Sequence, residues 1–137
     1  DRSMVHNDDL DWLIRLVGQG SWIKGIKSCH VWYRTSQSGL SADLPAMLEG
    51  REQALKTAAR FGYRPDGKAH AIQYRYLARR ALRLGHGRTT ALRFAILGIG
   101  QSPLGFFSSP RRGALTLIGA LSATIMPAPL SQYFFSR

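Results

Sequence analysis

Three carboxylates stand close together near the start of the 137-residue chain, at Asp8, Asp9 and Asp11. Asn7 precedes them as a candidate helix cap, and acids in a first turn are stabilised by the positive end of a helix. An ionised carboxylate within hydrogen-bond reach of a hydroxyl can also take its proton as that oxygen attacks an electrophile. The cluster is therefore either a general base with its neighbours or a set of acids that only stabilises a helix. Its spacing alone favours the second interpretation.

The residues after the acids predict the elements that would hold them in place. Apolar residues recur at i, i+3, i+4 and i+7 from Leu10, which predicts an amphipathic helix that ends at Gly18. Two later segments, Trp22–Ile26 and Cys29–Tyr33, are rich in aromatic and β-branched residues, and we predict that each is a short strand. The acids would then lie at the start of a helix that leads into a pair of strands.

Two blocks of sequence resemble a known enzyme family. The first block, Asn7-Asp8-Asp9-Leu10-Asp11-Trp12-Leu13-Ile14-Arg15-Leu16, is similar to the "Glu-Asp, x, Asp-Leu-Trp-Leu-Arg" helix of the family 2 inverting glycosyltransferases. The second block, Val31-Trp32-Tyr33-Arg34 followed by Ser38 and Ser41, resembles that family's "Val-Tyr-Tyr-Arg, x, His, x, x, Ser, x, Ser" segment. The two blocks occur in the family's order and at a fitting distance, and the resemblance covers residues 4 to 60.

The resemblance implies a role for each acid. By position, Asp9 matches the general base, which would deprotonate an acceptor hydroxyl as it attacks the anomeric carbon of a nucleotide-sugar. Asp8, Asp11 and Trp12 match positions near the acceptor. Ser36 stands where many members carry a histidine, so we assign no metal ligand to this chain.

The resemblance also implies the fold and a missing part. The complete enzyme is expected to be α/β, with a Rossmann-like half that binds the nucleotide-sugar donor and, through an Asp-x-Asp motif, a divalent cation (Mg or Mn). No Gly-rich phosphate loop and no such motif precede the acid cluster in this sequence. We therefore expect a C-terminal fragment, mainly α with two short strands, that supplies the base and does not turn over alone.

Charge and hydropathy divide the chain into three zones. The chain has nineteen Lys and Arg against eight Asp and Glu, a formal net charge of +11, and seven of the acids lie within the first 52 residues. We predict an acceptor-side end of the catalytic domain over 1–45, a basic helical extension over 46–93 and an apolar tail over 94–137. Helices are predicted over 45–61, 69–84, 91–97 and 111–125. The single cysteine excludes an internal disulfide framework.

Four arginines lie on neighbouring turns of the second basic helix, at Arg75, Arg79, Arg80 and Arg83. They could form a solvated face, lie on an anionic bilayer or follow a nucleic-acid backbone. The solvated face ranks first and the membrane second, because the apolar tail follows at once. Nucleic acid ranks last, because no recognised nucleic-acid motif is present. A non-catalytic basic module that binds an anionic membrane or RNA is thus the alternative to the enzyme.

The apolar tail is long enough to cross a bilayer, but prolines and polar residues interrupt it. Pro127, Pro129 and Gln132 dilute residues 113–136, so we favour helices that lie at a membrane interface. The expected location is cytoplasmic and peripheral to the inner face of the membrane. The expected partners are a nucleotide-sugar donor and a saccharide or lipid-linked acceptor.

Overall fold

The computed structural model describes residues 5–32, 39–86, 89–127 and 133–134. Within these residues the chain is mainly helical, as the sequence predicts, and contains no strand. The elements are α1 (Asp8–Gly18), a short 3-10 helix (Leu40–Ala42), α2 (Leu44–Arg60), α3 (Gly67–Leu84), α4 (Thr90–Gln101), α5 (Pro103–Phe106) and α6 (Pro110–Ile125). The chain forms two compact units, residues 1–64 (unit 1) and 65–137 (unit 2).

Unit 1 is built from α1 and α2, which run in the same direction. At the start of α1, the side-chain amide of Asn7 donates to the carbonyl of Met47, at 2.8 Å, near the start of α2. At the other end, Gly18 lies directly against the ring of Phe61, the residue that follows α2. A Cβ at Gly18 would collide with that ring, so this glycine is needed for the close approach.

The two predicted strands are absent from the described residues, so this prediction is wrong. Residues 21–32 have no regular structure, and Tyr33 lies outside the described part. The side chains of Trp22, Ile26 and Trp32 are exposed. A strand satisfies its backbone groups by pairing with a neighbour, and no described residue offers this segment a ladder partner.

The caps differ in part from the sequence expectation. Asn7 stands at the N-cap of α1 with φ 57°, but its side chain bonds Met47 and does not cap the helix. Asp43 accepts a hydrogen bond from the backbone N–H of Ala46 and thereby caps α2. Asp66 caps α3 through the N–H of Ala69 in the same way.

Unit 2 is organised around α3, which packs against α4, α5 and α6. Leu77 and Phe106 are fully buried at its centre. α5 approaches α3 so closely that a Cβ at Gly105 would lie 2.7 Å from the Cα of Lys68. Several of the other buried side chains are alanines, which lets the helices of this unit lie close together: Ala71, Ala78, Ala95 and Ala120.

The division between the two compact units falls at residue 64. It falls there because α2 packs on α1, while α4 and α6 pack on α3. The predicted helix over 91–97 extends to Gln101, and α5 is an additional turn that begins at Pro103. No helix in the described part of the chain is long and apolar enough to cross a membrane.

Candidate functional site

The start of α1 presents two neighbouring carboxylates and one indole to solvent. Asp8, Asp9 and Trp12 are all exposed. At about 100° per residue they fall within roughly 100° of the helix circumference, so they share one side of α1. One carboxylate oxygen of Asp9 accepts the backbone N–H of Leu10 at 2.8 Å, which orients the group locally. The arrangement provides acids beside an aromatic face on which a ring can lie.

Asp11 has a different environment from the other two acids. It is only 1% exposed, and its Oδ2 receives a 2.6 Å hydrogen bond from Nε of Arg15, one turn along α1. Burial would raise the pKa of Asp11, but the hydrogen bond and charge of Arg15, together with the nearby hydroxyl of Thr57, outweigh burial and hold this pKa below its ordinary value. Asp11 is therefore a buried, ionised carboxylate that is paired with an arginine of its own helix. Its burial disfavours the acceptor contact that the resemblance implies for it.

The second block of the resemblance is only partly visible. Val31 and Trp32 are exposed, whereas Tyr33, Arg34 and Ser36 lie outside the described residues. Among the residues that the structure describes, no three His, Cys, Asp or Glu side chains come together in a group that could hold a metal ion. The described residues thus do not form a site for the expected Mg or Mn ion, and no step below is routed through it.

A second candidate site lies in unit 2, where five arginines surround one open pocket of about 330 Å³. We call it the arginine pocket, and its cationic residues are Arg75, Arg79, Arg80, Arg83 and Arg112. Four of them share one face of α3, and the fifth comes from the first turn of α6. An adjoining pocket of about 260 Å³ shares three of these arginines and is otherwise lined by Leu82, Leu115, Thr116 and Phe134.

The arginines of this pocket repel one another. Burial lowers the pKa of Arg75, and the charges of Arg112 and Arg79 lower it further. Burial likewise lowers the pKa of Arg79, together with the charges of Arg83 and Arg112. An anion placed among these guanidinium groups would offset this repulsion and stabilise the charged forms.

Sequence reasoning found part of this site and missed part of it. It grouped the four arginines of α3, but it favoured a solvated face, whereas Arg75 and Arg80 are buried. Nη1 of Arg75 donates to the carbonyl of Phe106 at 2.5 Å and to Oγ of Ser108 at 3.2 Å. Arg112 was not connected to the group, although a charged pair that interrupts an otherwise uncharged tail is the signal that points to it.

Comparisons with protein-family models, with curated proteins and with solved structures found no match for this chain.

Proposed function

We propose that the chain is the C-terminal portion of an inverting glycosyltransferase, with Asp9 as the general base. The proposal depends on one observation, which is that the acids of α1 differ in their exposure and in their partners. Asp11 is buried and paired with Arg15 of the same helix, while Asp8 and Asp9 face solvent beside Trp12. A base must be accessible and held in place, and Asp9 meets both conditions.

The arrangement of unit 1 supports an α/β fold for the complete enzyme. Helices on one face of a parallel sheet run in the same direction and are joined through strands. α1 and α2 run in the same direction, and the chain between them exposes Trp22, Ile26 and Trp32. These exposed side chains are those that a strand would bury once it pairs with a sheet. In the proposal, the donor-binding half supplies that sheet.

The proposed reaction uses groups of this chain on the acceptor side only. Asp9 takes the proton of the acceptor hydroxyl, and the oxygen forms the new bond to the anomeric carbon. The bond from that carbon to the nucleoside diphosphate breaks on the opposite face, so the configuration inverts. Asp8 and Trp12 bind the acceptor, and Asp11 positions the helix. The divalent cation would act on the leaving diphosphate from the donor-binding half.

The test is a transfer assay on the complete gene product with a panel of nucleotide-sugars, read as release of nucleoside diphosphate. A general base contributes about 10²–10⁴-fold to the rate. We expect Asp9→Asn to lower kcat by that factor and to leave the KM of the donor unchanged, because the donor does not contact Asp9. Glu52→Gln is the matched control, since Glu52 is an exposed acid of unit 1 with no proposed role.

Two results would overturn the proposal. The first is a rate within a few-fold of the native enzyme for Asp9→Asn, because a proton acceptor cannot be removed at so small a cost. The second is the absence of transfer from every donor class by the complete gene product, with unit 1 folded as judged by slow hydrogen–deuterium exchange of the amides of α1 and α2.

A further inference from the structure

We propose that the arginine pocket binds the phosphate headgroup of an anionic phospholipid in a bilayer, with the apolar face of α6 lying beside it against the acyl region. The proposal concerns unit 2 and does not rest on the transferase activity of unit 1. It makes unit 2 a membrane-docking module that recognises a charged headgroup.

The side chains of unit 2 carry a strong excess of positive charge, which attracts anions. Residues 65–137 contain ten Lys and Arg but a single acidic side chain, Asp66. The carboxylate of Asp66 caps the start of α3, where it accepts the N–H of Ala69. The first arginine of the pocket, Arg75, lies nine residues further on, which at a rise of about 1.5 Å per residue is about 13 Å along the helix. Asp66 therefore cannot serve as the counter-ion of the pocket.

The geometry of the pocket suits a phosphate group. Guanidinium groups are planar donors that bind phosphate oxygens through paired hydrogen bonds. Arg75 is held in place by Phe106 and Ser108, so its position is fixed before a ligand arrives. Arg112 stands in the first turn of α6, where the positive end of the helix adds to the attraction for an anion.

The surface beside the pocket selects a lipid over other carriers of phosphate. α6 exposes Leu115, Ile118, Leu121 and Ile125, and Ile125 is 85% exposed. At about 100° per residue these side chains span roughly 120° of the helix circumference, so they form one apolar face. Leu115 lies on this face and also lines the pocket that shares three arginines with the arginine pocket. A cationic pocket continuous with an aliphatic face matches the headgroup and acyl regions of a bilayer.

Nucleic acid fits the same surface less well. Proteins that bind single strands combine a basic groove with aromatic side chains on which bases stack. Here the exposed face of α6 is aliphatic, and the aromatic side chains that line the two pockets are Tyr76 and Phe134. Stacking on these two rings does not account for the four exposed aliphatic residues of α6.

The experiment measures binding of the full chain to vesicles of phosphatidylcholine, with and without about 30% phosphatidylglycerol. The test variant is Arg83→Gln with Arg112→Gln, since both side chains are exposed and line the pocket. We expect its partition into the anionic vesicles to fall roughly 30-fold, which is about 1 kcal/mol for each charge removed. The control, Lys68→Gln with Arg93→Gln, removes the same charge from exposed sites of unit 2 outside the pocket and should change partition only a few-fold.

A second variant separates the apolar face from the arginines. Ile118→Ser with Ile125→Ser changes two exposed side chains that line neither pocket, so the fold of unit 2 should be unaffected. We expect this variant to lose partition into anionic vesicles but to keep the native response to inorganic phosphate, read as the shift in thermal unfolding. Loss of vesicle partition with retention of the response to inorganic phosphate supports a lipid as the molecule that carries the phosphate.

Four outcomes would overturn the proposal. Equal losses for the arginine variant and its control would mean that net charge alone binds the vesicles. Equal partition into neutral and anionic vesicles would remove the role of the headgroup. A stabilising response to inorganic phosphate without vesicle binding would point to a soluble phosphate. An RNA oligonucleotide that binds the chain while vesicles do not, with the same sensitivity to the arginine variant, would assign the pocket to nucleic acid.

Discussion

Replacement of Arg15 by Met is expected to reverse the pH dependence of the stability of unit 1. In the native chain, Arg15 donates to Oδ2 of Asp11 at 2.6 Å, and the carboxylate is 1% exposed. Methionine keeps the apolar stem of the side chain but removes both the charge and the donor. The buried carboxylate is then left without its cation.

The sign of the effect follows from the pKa of Asp11. In the native chain this pKa is lowered, because Arg15 and Thr57 together outweigh the burial that alone would raise it. A carboxyl with a lowered folded pKa stabilises the protein above its unfolded pKa, about 4, and that stability is lost as the pH falls through the folded value. Without Arg15, burial becomes the dominant influence and raises the pKa. The stability of the variant should then rise as the pH falls from about 7 to about 4.

The loss of stability depends on which member of the ion pair is left buried without the other. Removing one partner of a fully buried ion pair costs about 3–5 kcal/mol. The side chain of Arg15 is 40% exposed, so part of its charge is already solvated in the native state. We therefore expect Arg15→Met to cost about 2–3 kcal/mol at neutral pH. Asp11→Asn should cost only about 1 kcal/mol, because Arg15 can turn to water and no charge stays buried.

Hydrogen–deuterium exchange of the backbone amides of α1 and α2, followed across a urea series, measures this stability, because the tryptophans of unit 1 are already exposed in the folded chain. Arg60→Met is the control, because it removes the same charge from an exposed site at the end of α2. If the free energy of unfolding of Arg15→Met changed with pH as that of the native chain does, the dependence of the buried carboxylate of Asp11 on Arg15 would be refuted. A larger loss of stability for Asp11→Asn than for Arg15→Met at neutral pH would refute it as well.

The remaining predictions concern unit 2. Gly105→Ala should destabilise it by about 1–3 kcal/mol, since the new Cβ would lie 2.7 Å from the Cα of Lys68. Gly100→Ala, where nothing lies within 4 Å, should instead stabilise α4 by about 1 kcal/mol, and thermal unfolding compares the two. Asp66→Ala should cost about 1 kcal/mol through loss of the cap on Ala69, whereas Asp66→Ser should retain most of that stability.

The helices could be predicted because local signals determine them. Periodic apolar residues and the glycines that end them predicted α1, α2 and α3 to within a few residues. The prediction failed for residues 22–32, where the composition favours a strand but no other described segment pairs with it in a sheet. Strand propensity describes how a side chain fits a sheet, and a sheet is a property of at least two segments. A single segment cannot reveal its partner.

The candidate sites show a similar limit. The sequence identified Asp8, Asp9 and Asp11 as a group but not which of them is buried, because that depends on how α1 rotates against α2. Burial singled out Asp11, whose position faces Thr57 across the contact between the helices. Arg112 joins the arginines of α3 from a helix about thirty residues later in the chain, and contacts at such a separation leave no local pattern.

The two proposals concern different units of the chain, so each can be tested without the other. Unit 1 contains seven of the eight acids, whereas unit 2 contains ten of the nineteen Lys and Arg with one acid, so the net charge is concentrated in unit 2. Asp9→Asn should lower the kcat of transfer about 10²–10⁴-fold without changing partition into anionic vesicles. Arg83→Gln with Arg112→Gln should weaken that partition without changing transfer to a water-soluble acceptor. If the arginine variant lost transfer to a soluble acceptor as well, the arginine pocket would have to belong to the reaction and not to a bilayer contact.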